Sequence, residues 1–314
     1  MRRKIIRQGN HSYTLTLPIE WVRELSLDEG SEVELKQEGN DLLVIPSTLK
    51  KRLPSTISVN LKELEKSEER TIRNILNQAY RKGYDKIVLQ LRDKQELKDV
   101  KEIVKSSLLG FEVVEEKESN CVVQSIAEPS SENYQAILRK LFFIIQEEGN
   151  EIFLDFAAQK VEKLDERKNV KDSFDNYTNF LRRIIARDKI GGSMDSYLHY
   201  VIVSRMSLVE HAYYYMYKRA AKEKKLSVQK KTLKFLEETN SLFKLLHQAL
   251  FEKDFQKTHE VGVQKEKLIF EELYQLLEKS KGIDNIILYH CGEIIRLTHM
   301  ISTNIFGLIE YKEQ

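Results

Sequence analysis

The sequence predicts a multidomain α+β protein built from three successive regions. Up to Pro46, short segments alternate polar with apolar residues, as half-buried strands do. Helical and strand-like stretches then alternate in the middle of the chain. After Pro129 the chain has no proline, and apolar residues recur every three or four positions, which is typical of amphipathic helices. We therefore predict domains at residues 1–48, 55–128 and 129–314.

The first region opens with a strand-like segment that is rich in cations. Gly9 and Asn10 supply a turn signal after it, and residues 14–17 alternate polar with apolar, which predicts the second strand of a β-hairpin. Pro18 suits the first turn of a helix, because its missing N–H would have no partner there. The cations of the hairpin are Arg2, Arg3, Lys4 and Arg7.

A short helix and a second hairpin complete this region. The apolar residues of IEWVREL, at 19–25, recur at helical spacing. Two alternating segments, residues 33–36 and 42–45, then flank a Gly-Asn-Asp turn at 39–41. The predicted order of elements is ββαββ. A unit of this size rarely gains more than a few kcal/mol from burial, so we expect a second chain to complete its core.

Three motifs of this region carry a family resemblance. They are Arg7-x-Gly9-Asn10-x-Ser12, Leu17-Pro18 with Trp21-Val22, and Leu27-x-x-Gly30-x-Glu32-Val33. With them the region resembles the SpoVT/AbrB-like swapped-hairpin family, in which two chains interlock their hairpins into one dimeric, DNA-binding β-barrel. The resemblance implies that DNA is bound by Arg2, Arg3, Lys4, Arg7, Asn10, His11 and Ser12. Arginine and lysine neutralise phosphates, and arginine and asparagine can also read base edges.

An alternative interpretation is that the cations form a solvated face and that the module only dimerises the protein. The formal net charge of the chain is +2, so a DNA contact requires a local basic patch. Cys121 and Cys291 lack metal-ligand or redox spacing. No stretch approaches the ~20 apolar residues of a membrane span, and the N-terminus lacks the apolar segment of a signal peptide. We therefore expect a soluble, cytoplasmic protein without membrane insertion.

The middle region predicts a small α/β domain. Its predicted elements are helices over 64–82 and 96–109 and strands over 86–91, 111–114 and 121–123. Gly83 and Gly110 each stand where a helix stops and a strand begins, which is typical of a helix C-cap and not of a phosphate-binding loop. We expect no nucleotide site and no cofactor here. A connector or dimer-supporting role is favoured, with a small-molecule sensor as the alternative.

Breaks in the apolar pattern divide the third region into six predicted helices, whose lengths suit antiparallel bundles. They cover approximately residues 130–163, 172–190, 193–225, 228–251, 254–280 and 283–312. The third helix of each group of three contains a related stretch, around His211 and around His299, at an offset of 88 residues. This duplication resembles the PhoU family of phosphate-signalling regulators. The whole chain resembles the archaeal-type phosphate uptake regulators, which join a SpoVT/AbrB-like domain to a PhoU-like helical domain.

In the PhoU family the third helices usually read Glu-Arg-Ile-x-Asp-His, and their acids can gather metal ions. Aligned on the histidines, this chain has Met206 and Ile294 at the first acid and Glu210 and Thr298 at the second. A hard cation prefers several carboxylate oxygens, so we predict no multinuclear metal cluster. The weaker candidates, which would need a third converging ligand, are Glu210, His211, His290, Glu293 and His299.

Two functions follow from these patterns. The favoured one is a dimeric transcriptional regulator that binds DNA through its N-terminal module and is linked, by resemblance, to phosphate uptake or homeostasis. The alternative is a protein–protein adaptor that acts on a phosphate transporter or signalling partner. An enzyme is not indicated, since no nucleophile arrangement or cofactor fingerprint is recognisable. An antitoxin role is disfavoured because a long helical region follows the module.

Overall fold

The computed structural model describes residues 2–9, 11–46, 55–64, 68–117, 119–127 and 131–309. The chain divides into two compact units, Met1–Ser55 and Thr56–Gln314. We refer to them as the N-terminal unit and the large unit. No helix in the described ranges is long and apolar enough to cross a membrane.

The N-terminal unit contains two antiparallel hairpins with a short helix between them. Its elements are β1 (Ile5–Gln8), β2 (Ser12–Leu15), α1 (Ile19–Glu24), β3 (Val33–Glu38) and β4 (Asp41–Pro46). β1 pairs with β2, and β3 pairs with β4. This order is the predicted ββαββ. Pro18 lies one residue earlier than expected, at the N-cap of α1, where its carbonyl oxygen accepts a hydrogen bond from the Val22 N–H.

The large unit begins with a four-stranded sheet in the order β5-β6-β8-β7. Its elements are β5 (Thr56–Asn60), α2 (Glu69–Arg81), β6 (Lys86–Gln90), α3 (Lys94–Ser107), β7 (Phe111–Lys117) and β8 (Asn120–Ser125). β5 runs parallel to β6, and the other pairs are antiparallel. The sequence did not predict β5. Its Thr-Ile-Ser-Val-Asn alternation is that of a strand with one buried face, but it follows directly on the proline-bounded linker.

Seven helices and one π-helical segment make up the rest of the large unit as far as it is described. The helices are α4 (Tyr134–Ala157), α5 (Leu164–Asp188), α6 (Ser193–Ala220), α7 (Lys230–Glu252), α8 (Phe255–Glu266), α9 (Tyr274–Lys279) and α10 (Ile283–Ile305). The π-helical segment Lys267–Leu273 joins α8 to α9 without a break. α6 packs extensively along α10, and α4 contacts α7. With α8, the π-helical segment and α9 taken as one continuous helix, the helices form two groups of three that meet along their first and third members.

One predicted helix break is wrong. The sequence suggested that a helix ends and another begins near residues 169–172, whereas α5 runs through them and the break lies between α4 and α5. Two side chains of this stretch form ion pairs that stabilise the helical conformation. Lys171 Nζ lies 2.8 Å from Asp175 Oδ2, one turn later, and Arg167 Nη1 lies 3.0 Å from Glu148 Oε2 of α4.

A buried arginine of α5 forms hydrogen bonds with the turn between α2 and β6. Arg183 is fully buried and donates hydrogen bonds to the carbonyl oxygens of Tyr80 and Tyr84 at 3.1 and 2.7 Å. It also donates to Asp85 Oδ1 at 2.7 Å. Gly83 completes this turn with a φ of 88°, and a Cβ there would lie 2.8 Å from Arg187 Cγ. These contacts join the sheet and the helices into one unit, although each part keeps its own hydrophobic cluster.

Candidate nucleic-acid interface

The first hairpin presents a mixed cationic and aromatic face. In its antiparallel register Ile5 lies opposite Leu15 and Arg7 opposite Tyr13, so these four side chains share one face. All four are exposed, and Tyr13 is 68% exposed. Arg7 also donates a hydrogen bond from Nε to the carbonyl oxygen of Gly9 at 3.2 Å, which orients its guanidinium at the turn.

The other predicted basic residues lie just before β1 and not within it. Arg2, Arg3 and Lys4 are exposed and have no regular secondary structure, since the strand starts at Ile5. They form a short basic arm that continues into the strand. The structure thus keeps the predicted cations together on the surface, although only Arg7 belongs to the first strand.

The predicted turn residues have different environments. His11 is exposed, and the Ser12 hydroxyl donates a hydrogen bond to the carbonyl oxygen of Gln8. Ser12 therefore closes the hairpin, and only its oxygen lone pairs are left to accept hydrogen bonds from a ligand. Thr14 Oγ1 makes a similar cross-strand contact to the Ile6 carbonyl oxygen at 3.4 Å. Asn10 lies outside the described residues.

Charge is segregated along the N-terminal unit. The first nineteen residues contain four arginines and lysines and no aspartate or glutamate, whereas acids follow from Glu20 onward. Exposed cations without carboxylates beside them in sequence are suited to contact phosphate groups, because each contact releases counterions. A guanidinium beside an aromatic ring, as at Arg7 and Tyr13, can additionally stack on or hydrogen-bond to bases.

The histidines proposed as metal ligands belong to separate local networks. His211 Nε2 lies 2.9 Å from Asp175 Oδ1 and 3.9 Å from Glu210 Oε2. His290 Nδ1 lies 3.1 Å from Glu293 Oε2. His299 Nδ1 is buried without a hydrogen-bond partner, and burial lowers its pKa. No group of three His, Cys, Asp or Glu side chains that could hold a metal ion is found in the described part of the chain.

Glu210 is the most unusual of these side chains. It is fully buried, and neither of its carboxyl oxygens has a hydrogen-bond partner. Burial, followed by the nearby carboxylates of Asp175 and Glu148, raises its pKa to about 9. The carboxyl group is therefore protonated and neutral at pH 7.

Sequence reasoning missed the buried charges at the junction between α2 and α5. Arg182 and Arg183 are both buried within an apolar helical stretch, and Asn179 accepts a hydrogen bond from Arg81 Nε at 2.8 Å. The available signal was the sequence FLRRIIARD, which sets two arginines among apolar residues at a position where an amphipathic helix would bury them.

Comparison with known proteins identifies one similarity. The family model described as antidote-toxin recognition MazE, a bacterial antitoxin family, matches residues 6–52. The match starts at the second residue of β1, includes β2, α1, β3 and β4, and agrees with the SpoVT/AbrB-like hairpin module that the sequence resembles. It does not extend into the large unit. No curated protein and no solved structure gives a match.

Proposed function

We propose that the protein is a DNA-binding transcriptional regulator whose N-terminal unit binds DNA as a dimer. The observation that carries the proposal is the charge segregation of that unit, which places four exposed cations in an acid-free segment of a MazE/AbrB-like module. Arg2, Arg3 and Lys4 supply phosphate contacts from the arm. Arg7, which is exposed on the hairpin face opposite Tyr13, reaches further into a groove in this proposal.

The apolar surface of the same unit supports dimerisation. Val33 and Leu35 share a face with Leu42 and Val44 in the register of β3 and β4. Leu35 and Leu42 are 59% and 58% exposed, and only Leu27 and Pro46 are buried among the described residues of this unit. A module with so small a core needs a second apolar surface, and a second copy of the same module supplies one.

Fewer observations support the other candidate functions. An antitoxin is a second candidate because the matching family model describes bacterial antitoxins; co-purification of a stoichiometric toxin would favour it. We favour the regulator because a large unit with two hydrophobic clusters follows the module. The link to phosphate uptake, and the alternative of an adaptor for a phosphate transporter or signalling partner, depend on the resemblance of the helical region to PhoU.

Capture of genomic DNA fragments by the full chain, at a low and a high salt concentration, tests the proposal. We expect selective enrichment that weakens at high salt. The variant Arg3→Ala, Lys4→Ala, Arg7→Ala is expected to lose most of this binding. When the logarithm of the DNA-binding constant is plotted against the logarithm of the salt concentration, the slope for this variant should be less steep than that of the wild type. The difference should be about one for each phosphate that the variant no longer neutralises.

A charge-matched variant provides the control. Lys222, Lys224 and Lys225 are exposed on the large unit, so their replacement by alanine removes the same charge elsewhere. This control is expected to bind DNA as the wild type does. An equal loss of DNA binding in both variants would mean that only the net charge of the chain matters. Unchanged binding in the N-terminal variant would refute the assignment of the DNA-binding face.

A further inference from the structure

A polar cavity of about 440 Å³ lies within the large unit, where α2 and α3 meet α5 and α6. Its walls come from segments far apart in the sequence. α2 and α3 contribute Arg73, Asn77, Arg81, Ser106 and Ser107, and α5 and α6 contribute Lys168, Lys171, Asp172, Asp175, Asn179, Ser207 and His211. The lining therefore contains four cations and two carboxylates, with neutral hydrogen-bonding groups between them.

The two carboxylates of the cavity are already engaged. Lys171 Nζ lies 3.1 Å from Asp172 Oδ1 and 2.8 Å from Asp175 Oδ2. Asp175 also lies 2.9 Å from His211 Nε2. This side of the cavity is a closed network in which the acids and Lys171 neutralise one another.

The opposite side of the cavity has cations that form no ion pair among the described residues, although the Asp175 carboxylate attracts Arg81 and Arg182 electrostatically. Arg81 is half-buried, and its Nε donates to Asn179, a neutral amide. Arg182, one helical turn after Asn179, lies behind this wall and not in the lining; it is 7% exposed and has a buried Nε without a hydrogen-bond partner. Among the described residues neither arginine forms an ion pair, and Lys168 at the rim forms none either. Burial lowers the pKa of both arginines, and their mutual repulsion lowers that of Arg182 further, to about 10.

The cavity wall also contains the neutral polar side chains of Ser106, Ser107 and Asn179. Arg73 Nη1 donates to the Ser107 hydroxyl at 2.8 Å and lies 3.4 Å from that of Ser106, which holds both serines at the cavity wall. Asn179 is 2% exposed, and its amide bridges to the Ser107 carbonyl oxygen at 3.3 Å, which fixes the position where Arg81 is held. Arginine with hydroxyl and amide donors is a set that suits the several oxygens of a phosphate group.

We propose that this cavity binds the phosphate group of a small molecule, with Arg81 as its principal ligand. Arg81 lines the cavity half-buried and without an ion pair among the described residues, and the buried Arg182 beside it repels it, so an anion in the cavity would stabilise both positive charges. The volume exceeds that of inorganic phosphate, which favours a phosphate ester whose organic part occupies the remainder. The ligand would contact the sheet region and the helices at once, so its binding stabilises their junction. This inference is independent of DNA binding by the N-terminal unit.

Isothermal titration calorimetry tests the proposal by measuring the affinity of the full chain for inorganic phosphate, glycerol 3-phosphate and adenosine monophosphate. We expect saturable binding of at least one of them by the wild type. The variant Arg81→Gln, which keeps a hydrogen-bond donor near Asn179 but removes the charge, should bind about tenfold more weakly or worse. Tighter binding of an ester than of inorganic phosphate identifies a phosphorylated metabolite, and equal binding identifies free phosphate as the ligand.

Two further variants keep the result interpretable. Arg219→Gln removes an exposed arginine that pairs with Glu223 outside the cavity, and it should bind as the wild type does. Lys168→Gln removes a charge at the exposed rim, so it should weaken binding without disturbing the fold even if Arg81→Gln is unstable. Absence of binding by the wild type would overturn the proposal. Full wild-type affinity in Arg81→Gln, or in Lys168→Gln where the former does not fold, would overturn it as well.

Discussion

The carboxyl group of Glu210 is buried on α6 with no group to receive or donate a hydrogen bond. Its nearest charged neighbours include acids, so ionisation would add a negative charge to a site that already contains Asp175 and Glu148. Protonation avoids that cost. Of the sequence-predicted metal candidates, Glu210 is thus the one whose protonation state the fold determines most strongly, and as a neutral acid it is a poor ligand for a hard cation at pH 7.

This protonation has a measurable effect on stability. The pKa of Glu210 rises from an ordinary 4.5 to about 9 in the folded chain, so the unfolded chain releases this proton first. The stability that protonated Glu210 contributes is complete below pH 4.5 and declines as the pH rises towards about 9. Between pH 7 and 8.5, Glu210→Gln should flatten the decline in free energy of unfolding by up to about 1.4 kcal/mol per pH unit.

Denaturant unfolding across that pH range provides the measurement. Glu147→Gln makes the same chemical change at an exposed position of α4 and should leave the slope unchanged. Identical slopes for the wild type and Glu210→Gln would show that Glu210 is ionised in the folded protein.

At the level of elements, one buried side chain makes most of the hydrogen bonds that join α5 to the turn after α2. Arg183 satisfies two carbonyl oxygens and Asp85, and its guanidinium carbon lies 4.7 Å from the centre of the Phe111 ring. Arg183→Met would retain much of the packing volume but leave the Tyr80 and Tyr84 carbonyl oxygens without this donor and, among the described residues, Asp85 paired with Arg187 alone. We expect a loss of about 3–5 kcal/mol in the free energy of unfolding, as is typical for breaking a buried pair.

An exposed arginine serves as the comparison for that loss. Arg219 pairs with Glu223 one turn later at the surface, and Arg219→Met should cost no more than about 1 kcal/mol. Chemical denaturation of both variants, followed by circular dichroism, gives the two values. Similar small losses would mean that Arg183 contributes no more than a surface pair and that apolar packing holds the junction.

The elements that the sequence predicted are those with a strong local signal. Alternation and turn residues located both N-terminal hairpins, and Gly83 was recognised as a helix C-cap because its position requires a positive φ. The break predicted near residue 170 failed because tertiary and i, i+4 ion pairs of Arg167 and Lys171 support the helix there. Local propensity carries no information about a partner supplied by another helix.

The two candidate sites differ in the same way. The basic arm and hairpin are contiguous in sequence, so their cations could be identified from a motif. The cavity brings residues near position 80 together with residues near position 180, and no local pattern relates these segments. It could be found only once the packing of α2 against α5 was known.

On the scale of the whole molecule, the proposed dimer makes a specific prediction for the apolar face of β3 and β4. Leu35→Asp places a charge in that face and should convert a dimer into a monomer, because an unpaired carboxylate cannot be buried without large cost. Light scattering coupled to size exclusion would show the mass falling from twice that of the chain to that of one chain.

The neighbouring residue separates the effect of this face from that of added charge. Lys36 lies on the opposite face of the same strand, so Lys36→Asp introduces a carboxylate away from the proposed interface and should leave the dimer intact. A monomeric wild type would contradict the dimer altogether. A Leu35→Asp variant that remains dimeric would place the interface elsewhere, for example on the helices.

The near absence of a core in the N-terminal unit also affects how the protein is made. This unit leaves the ribosome before the large unit, whose translation at about 5–20 residues per second takes on the order of tens of seconds. During that interval the exposed leucines and isoleucines of this unit, such as Ile5, Leu15, Leu35 and Leu42, face water. Two nascent chains on the same messenger RNA carry such units close together, so translation would favour formation of the proposed dimer between sister chains over its formation between finished ones.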